Sequence, residues 1–515
     1  MLVSILYGLA FNAYVQPTNG DDITYFHGAL SIVSGDGFTE QGKWIVDWPP
    51  VHSSIVAVAM LLTGIRDFYL VKIINSVALL AAVLLAYRVM VREYRTLPLL
   101  SCILIAIFPT SLVVGTAGQA DFCYFAFSML FLLLLEKLRS LRHVWVALLC
   151  GLSLGVTSLT RWQGTLLGVC LIFQACSIGF RTKPWKFGPF FKSIWLEVIA
   201  SVIGASLFVA WKIWLHICVQ RGLGGFSNYQ YLGRSIWSVP DPLETFSAHL
   251  NLLTQVENLV LTLCPTLLLP LKIVVILFVA VCIWGFILRI SERGWFASDA
   301  FVLCTLWMLS MYAYKESRYG IPLAPFLLDY LFRGLYAFHL QIASLLKTSE
   351  RMQQSQRVGF FAIWIVGLFA FDGLLIFYGD GESMGPACQF LLENNRDYLR
   401  GYHRDLYDVC KQLQAQNPTA IIATDKFHKQ LIRHYSGLEA HFVEFAPNAN
   451  YKLFIQVDPL CLTKRANDLA RHELDFPPSL MGRISNPRPT GYVTLWDVDA
   501  TDEHNSNQSD ERVRQ

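Results

Sequence analysis

Two aspartates stand side by side near the start of the chain, in Asp21-Asp22-Ile23-Thr24-Tyr25, and a cluster of cations lies far along it, in Lys315-Glu316-Ser317-Arg318-Tyr319. A carboxylate kept ionised at a wet, dipole-favoured helix start can take the proton of an attacking hydroxyl. The same pair can equally do no more than cap the helix that follows. Lys315 and Arg318 suit a phosphate clamp, since arginine offers a planar fork and lysine a point charge, with Glu316 holding one of them. A solvated connecting loop would carry the same charges. Two further residues lie between these groups. Asp121, after Gly115-Thr-Ala-Gly-Gln-Ala, reads either as a cap or as a second carboxylate on the acceptor side. Arg161, in Thr160-Arg161-Trp162, is a lone arginine between apolar runs. Such a residue is costly in lipid unless paired or wet, so it either binds phosphate or carboxylate or snorkels from a helix end.

Other signals are weaker. Arg221-Gly-Leu-Gly-Gly225 resembles a phosphate-cradling loop but lacks the Lys-Ser/Thr that follows one. Asp329 and Asp372 fall in or near apolar runs and are expected to pair with neighbours or lie near an end, and Lys212 to snorkel. His27 and His52 could join the aspartates around a metal, but their spacing selects no geometry. No metal site is therefore assigned, although a divalent cation is compatible with the carboxylates.

The elements that must position these groups are membrane helices. Of 515 residues 54% are hydrophobic and only 15% charged, against about 25% charge in soluble chains. Runs of roughly 17–25 apolar residues, each able to cross ~30 Å of hydrocarbon, recur as far as Tyr378. A net charge of +3 argues against a nucleic-acid partner. The 12 cysteines form no Cys-x-x-Cys pair and lie mostly in apolar runs, so they read as small apolar residues. Met1 to Val15 lacks a basic leader and a convincing cleavage site and reads as a short first span.

Orientation follows from the basic clusters Arg88/Arg92/Arg95, Lys137/Arg139/Arg142, Arg181/Lys183/Lys186, Arg289/Arg293 and Lys347/Arg351/Arg357. All are cytoplasmic if Pro49 to Gly64 forms an interfacial helix that does not cross. The expected spans are 1–15, 71–90, 97–114, 122–138, 144–160, 163–180, 193–215, 271–290, 299–314, 321–338 and 358–378, about eleven helices. Asp21, Asp22, Asp121, Arg161, Lys315, Glu316 and Arg318 then all fall at the outer face, although none was used to set the threading. Residues 1–378 form the transmembrane part, with large outer loops at 16–70 and 216–270. From 379 to 500, helical patterns (Tyr402–Gln414, Lys426–Tyr435) alternate with β-like runs (Ala420–Thr424, Leu453–Val457, Gly491–Trp496), which predicts a small α/β domain on the outer face. Residues 501–515 read as a disordered tail.

The order of these pieces resembles the membrane glycosyltransferases of the GT-C superfamily. Asp21-Asp22-x-x-Tyr25-x-x-x-Ala29, Gly35-Asp36 and Pro49-Pro50 are similar to the first outer loop of its protein O-mannosyltransferase and lipid A aminoarabinose-transferase branches, with Asp22 in place of a glutamate. Phe108-Pro109, Asp121 and Leu159-Thr160-Arg161 resemble the next part. Lys315-Glu316-x-Arg318-Tyr319 is similar to a motif of dolichol-phosphate-mannose-dependent mannosyltransferases, with Tyr314 in place of its histidine. The resemblance implies a GT-C fold and a polyprenyl- or dolichyl-phosphate sugar as donor, a hexose such as mannose. The acceptor would be a hydroxyl of a lipid, glycan or protein, and attack at C1 would invert it. It implies Asp21 as general base with Asp22 beside it, Asp121 assisting the acceptor, and Arg161, Lys315 and Arg318 neutralising the leaving phosphate, supported by Tyr25, Glu316 and Tyr319. Neither a nucleotide nor an obligatory metal is implied. The chain would be a multi-pass protein of a bacterial plasma membrane with its site outside, or of the endoplasmic reticulum with its site in the lumen. The competing readings are a secondary transporter or glycan flippase, a non-catalytic assembly subunit, and a ligase moving a preassembled glycan. A transporter needs helix breaks or charges at the bilayer midplane and related halves, neither of which the sequence shows.

Overall fold

A computed structural model describes residues 20–40, 43–46, 48–93, 98–107, 111, 118–179, 187–221, 269–311, 317–345, 406, 409–416, 421–424, 439–442, 453–457, 484–490 and 493–498. The chain divides into two compact units, Tyr25–Gly381 with the first 16 residues, and Glu382–Gln515 with the short segment Pro17–Thr24.

The larger unit is helical. Helix α1 (Gly20–Ser34) enters it from Tyr25 onward and leads to a two-stranded hairpin, β1 (Thr39–Glu40) and β2 (Lys43–Trp44). Helices α2 (Val51–Thr63), α3 (Phe68–Glu93), α4 (Pro98–Ile107), α5 (Asp121–Leu141) and α6 (Val144–Ser158) follow. A 3-10 turn at Trp162–Leu166 opens α7 (Leu167–Gly179), and α8 (Phe187–Gln220), α9 (Leu269–Arg293) and α10 (Ala297–Met311) come next. A second 3-10 segment, Ser317–Leu323, with Pro322 inside it, opens α11 (Ala324–Leu345). Helices therefore lie on each expected span from 71–90 to 321–338, while 1–15 and 358–378 fall outside the described residues.

Two of the described helical stretches, Phe68–Arg92 and Phe191–Cys218, are by themselves long and apolar enough to cross a bilayer. Shorter apolar helices among the described residues include Val51–Thr63, Pro98–Ile107, Val144–Ser158, Trp162–Ile178 and Ala297–Leu309. On α3 and α8 the large residues Val77, Leu80, Leu84, Val202, Val209 and Ile213 face outward and exposed. Apolar side chains so placed on long helices are covered by lipid, as befits a membrane protein. Helix α2, at 13 residues, spans only about 20 Å and cannot cross alone. Gly64, with φ of 73°, ends it in a left-handed cap whose N–H reaches Met60 O.

Packing follows small residues. Helix α6 lies against α8, and α9 against α11. A Cβ on Gly151 would come 2.6 Å from Ala200 O, one on Gly155 2.5 Å from Leu207 Cδ1, and one on Gly204 2.6 Å from Leu154 Cδ2. Gly285 and Gly334 bring α9 and α11 together in the same way, against backbone oxygens of Tyr330 and Val281. Close backbone approach at glycines four apart is how helices associate where no hydrophobic force separates protein from solvent.

Several residues of the basic clusters pair with other segments of the chain. Arg289 is fully buried, bound to Asp299 and to Gly294 O, and Tyr330 Oη donates to the other Asp299 oxygen at 2.8 Å. Arg142 reaches Glu197 and Ser193 O, and Gln174 Nε2 donates to the same Glu197 at 3.3 Å. Arg92 pairs with Glu136 at 3.1 Å. Asp329 accepts from Arg333 Nε at 3.1 Å, the neighbour pairing its apolar surroundings require.

The smaller unit holds a five-stranded sheet in the order β4-β3-β5-β7-β6, built from β3 (Ile421–Thr424), β4 (Glu439–Phe442), β5 (Leu453–Val457), β6 (Ile484–Thr490) and β7 (Val493–Val498). β3 runs parallel to β4 and β5, and the β6–β7 hairpin adds antiparallel to β5. Pro487 and Pro489 sit in β6, an edge strand, where a missing N–H is tolerated. Leu406, Val409, Cys410 and Leu413 are buried at helical spacing along one face. Three strands coincide with the β-like runs of the sequence, whereas Lys426–Tyr435 lies outside the described residues.

Candidate functional site

Four chain segments meet at one end of the helical unit: the start of α2, the start of α5, the turn after α6 and the 3-10 segment before α11. Asp121 is the first residue of α5, where a carboxylate meets the positive end of the helix dipole. Arg161 lies in extended backbone just after α6, with φ of −147° and ψ of 145°. Its Nη2 donates to Asp121 Oδ2 at 2.7 Å, and the two residues are 7% and 2% exposed. Tyr319 lies with its ring 5.3 Å from the Arg161 guanidinium carbon, close enough for a cation–π contact. Thus the lone arginine is paired rather than snorkelling. Asp121 and Arg161, read separately in the sequence, form one buried ion pair.

The turn that carries Arg161 is tightly made. Arg161 N–H and Thr160 N–H both donate to Thr157 O at 3.1 Å, and Gly164 N–H donates to Arg161 O at 2.9 Å. A Cβ on Gly164 would lie 2.5 Å from Thr157 O, so glycine alone fits there. Val51 N–H donates to Leu159 O at 3.1 Å, fastening α2 to the same turn.

Beneath the ion pair lies a polar chain that the sequence did not single out as such. His52 is fully buried, with its Nε2 3.2 Å from Asn75 Oδ1, and Asn75 Nδ2 donates to Gln119 O at 3.0 Å. Since Asn75 Oδ1 can only accept, His52 Nε2 must carry the proton. Tyr25 packs edge-on to the His52 ring at 4.9 Å, and Ser53 Oγ donates to Tyr25 O at 2.9 Å. Burial lowers the His52 pKa to about 4; Asn75 opposes this and Arg161 adds to it. Burial likewise lowers His27 to about 4. Both are neutral at physiological pH. Among the described residues, no three histidine, cysteine or carboxylate side chains gather as metal ligands.

Helix α8 brings aromatic residues to the same turn. Lys212 Nζ lies 3.6 Å from the centre of the Trp162 ring, with Phe208 and Trp211 around it. The hairpin adds Trp44, edge-on to Trp214 at 4.8 Å. Lys212 therefore rests its ammonium against aromatic rings.

Asp21 and Asp22 form the first turn of α1, Asp21 half-buried and Asp22 buried, and belong with the segment Pro17–Thr24. Lys315 and Glu316 lie outside the described residues, as do Asp47, Phe108-Pro109, Gly222–Gly225, Asp372 and the tail 501–515. Arg318 is placed only as backbone in the segment Ser317–Leu323.

No family model and no curated protein sequence matches the chain. Solved structures do share its fold. ArnT from Cupriavidus metallidurans, bound to undecaprenyl phosphate, superposes with a TM-score of 0.53 at 12% identity over 96% of both chains. The archaeal oligosaccharyltransferase AglB from Archaeoglobus fulgidus, in complex with an inhibitory peptide and a dolichol-phosphate, does so with a TM-score of 0.53 at 12% identity over 97% of this chain and 74% of its own. The helical membrane architecture expected from the sequence is the one found, and these two structures share it.

Proposed function

We propose that the chain is a membrane glycosyltransferase whose donor is a sugar on polyprenyl or dolichyl phosphate. The single observation that carries the reading is the Arg161–Asp121 pair, a buried guanidinium held 2.7 Å from a helix-start carboxylate with Tyr319 over it. That pair sits in a fold shared with two enzymes whose structures contain undecaprenyl phosphate and dolichol-phosphate. N–H donors held in place at a poorly hydrated membrane edge stabilise charge that develops on a leaving phosphate far better than donors in water.

In the proposed reaction an acceptor hydroxyl attacks C1 of the sugar as the bond from C1 to the lipid phosphate oxygen breaks. Configuration at C1 inverts, the lipid phosphate departs with the bonding electrons, and the hydroxyl proton passes to the Asp21 carboxylate. Asp22 and Tyr25 support that end of α1, and Asp121 serves the acceptor side. Because Asp121 already offsets the charge of Arg161, net positive charge for the leaving phosphate comes from Lys315 and Arg318. Arg161 then contributes chiefly directed N–H groups. Glu316 and Tyr319 hold the cations in place. Acceptor selection is assigned to residues 379–500.

Transfer from a panel of radiolabelled polyprenyl-phosphate sugars, measured with the full chain in detergent, tests the class. Transfer from one of them is expected, and failure with all would end the assignment. Asp21→Asn should lower turnover by roughly 10²–10⁴-fold while leaving lipid-phosphate binding unchanged.

A further inference from the structure

We propose that the His52–Asn75 pair is a positioning device for the Asp121–Arg161 ion pair. The proposal deepens the function given above and rests on it only in its kinetic arm.

The connections are short and directed. His52 Nε2–H meets Asn75 Oδ1 at 3.2 Å, and Asn75 Nδ2–H meets Gln119 O at 3.0 Å. Gln119 stands two residues before Asp121, where the chain turns into α5. The carbonyl that Asn75 holds thus fixes the angle at which the helix start presents the Asp121 carboxylate. From the neighbouring residue of α2, Val51 N–H binds Leu159 O at 3.1 Å, two residues before Arg161. One helix start therefore pins both partners of the ion pair, Asp121 through Asn75 and Gln119, and Arg161 through the Leu159 carbonyl. Ser53 Oγ, the next residue along, ties the same turn to Tyr25 O at 2.9 Å. Three successive residues of α2 reach three different segments.

A packing role alone would not need this chemistry. His52 and Asn75 are both fully buried, and burying polar groups is unfavourable unless their bonds are made. An apolar pair of the same volume would fill the space without that cost. What apolar residues would not supply is a directed bond to the Gln119 carbonyl. The imidazole must also stay uncharged, since a cation there would oppose Arg161, whose charge acts on it through space.

Hydrogen–deuterium exchange by mass spectrometry on the full chain in detergent, with parallel transfer assays, tests the proposal. His52→Leu and Asn75→Leu keep volume and remove the bonds, while His52→Gln offers an amide N–H to Asn75 in place of the imidazole N–H. In both leucine variants, exchange at residues 119–124 and 159–164 should rise about ten-fold, with 128–138 of the same helix unchanged. The glutamine variant should restore most of the protection. Transfer should fall in kcat with KM little changed in the leucine variants and recover with glutamine. Exchange that rises evenly along α3 and α5, or glutamine that fails to rescue, would reduce the pair to ordinary core and overturn the proposal. If the wild-type chain transfers from no donor, the functional reading fails, and the exchange pattern alone still decides this one.

Discussion

Asp121 and Arg161 are the residues on which the sequence was most informative and least complete. An arginine between apolar runs demanded a partner, and the structure supplies one 40 positions earlier in the chain. Nothing local in either segment could have revealed the pairing, because sequence distance hides which helix ends meet. Removing one partner leaves a buried charge, so Asp121→Asn should cost about 3–5 kcal/mol of stability in detergent. A double-mutant cycle with Arg161→Gln should recover part of that, and strict additivity would show that the pair is not coupled. His52 was legible as a titratable residue but its role was not, since Asn75 carries no signal of its own in an apolar run. The histidines make a separate prediction. Their pKa values fall to about 4 in the folded protein, against about 6.5 in an unfolded chain. The unfolded state therefore binds more protons as pH falls, so stability should be constant above about 6.5 and decline from there toward pH 4. Comparing unfolding of wild type with His52→Gln at pH 7.5 and 5 checks this, since the variant should show the shallower decline.

Helix positions were largely readable because apolar run length is a direct consequence of bilayer thickness. What run length does not show is how a run begins. The expected spans 163–180 and 321–338 each open on a 3-10 turn, and those turns hold Trp162 and Tyr319. The tight turns free short stretches of backbone at one end of the bundle, where the candidate site lies. Helix contacts were also illegible, as glycines in apolar runs look alike until their neighbours are known. Gly151 meets the Ala200 carbonyl, whereas Gly168 has nothing within 4 Å of where a Cβ would stand. Gly151→Val should therefore destabilise by about 1–3 kcal/mol through overpacking. Gly168→Ala should be neutral or stabilise by up to about 1 kcal/mol. Thermal unfolding of the two variants, side by side, would expose an error in the α6–α8 contact.

The basic clusters predict the threading of the whole molecule, and charged groups gather at both ends of the helical unit. Arg161 and Lys212 meet Trp162 and Tyr319 at one end, while Arg92 and Arg142 lie with Glu136 and Glu197 toward the ends of α3 and α5. A single cysteine at exposed Arg221 should react with an impermeant maleimide only from the outer side, and one at exposed Leu141 only from the cytoplasm. Labelling of both from one side would refute the threading. Arg289 has a bearing on motion at this scale. A carrier alternates by prising helices apart first at one face and then at the other. Here α9, α10 and α11 converge on a guanidinium with no exposure, shared between Asp299 and the Gly294 carbonyl, with Tyr330 on the same carboxylate. Parting them would strand that charge in a medium of low permittivity, at a cost of several kcal/mol per opening. Those three helix ends are thereby bolted together, and the inexpensive motions of the bundle are the ones that leave this joint whole.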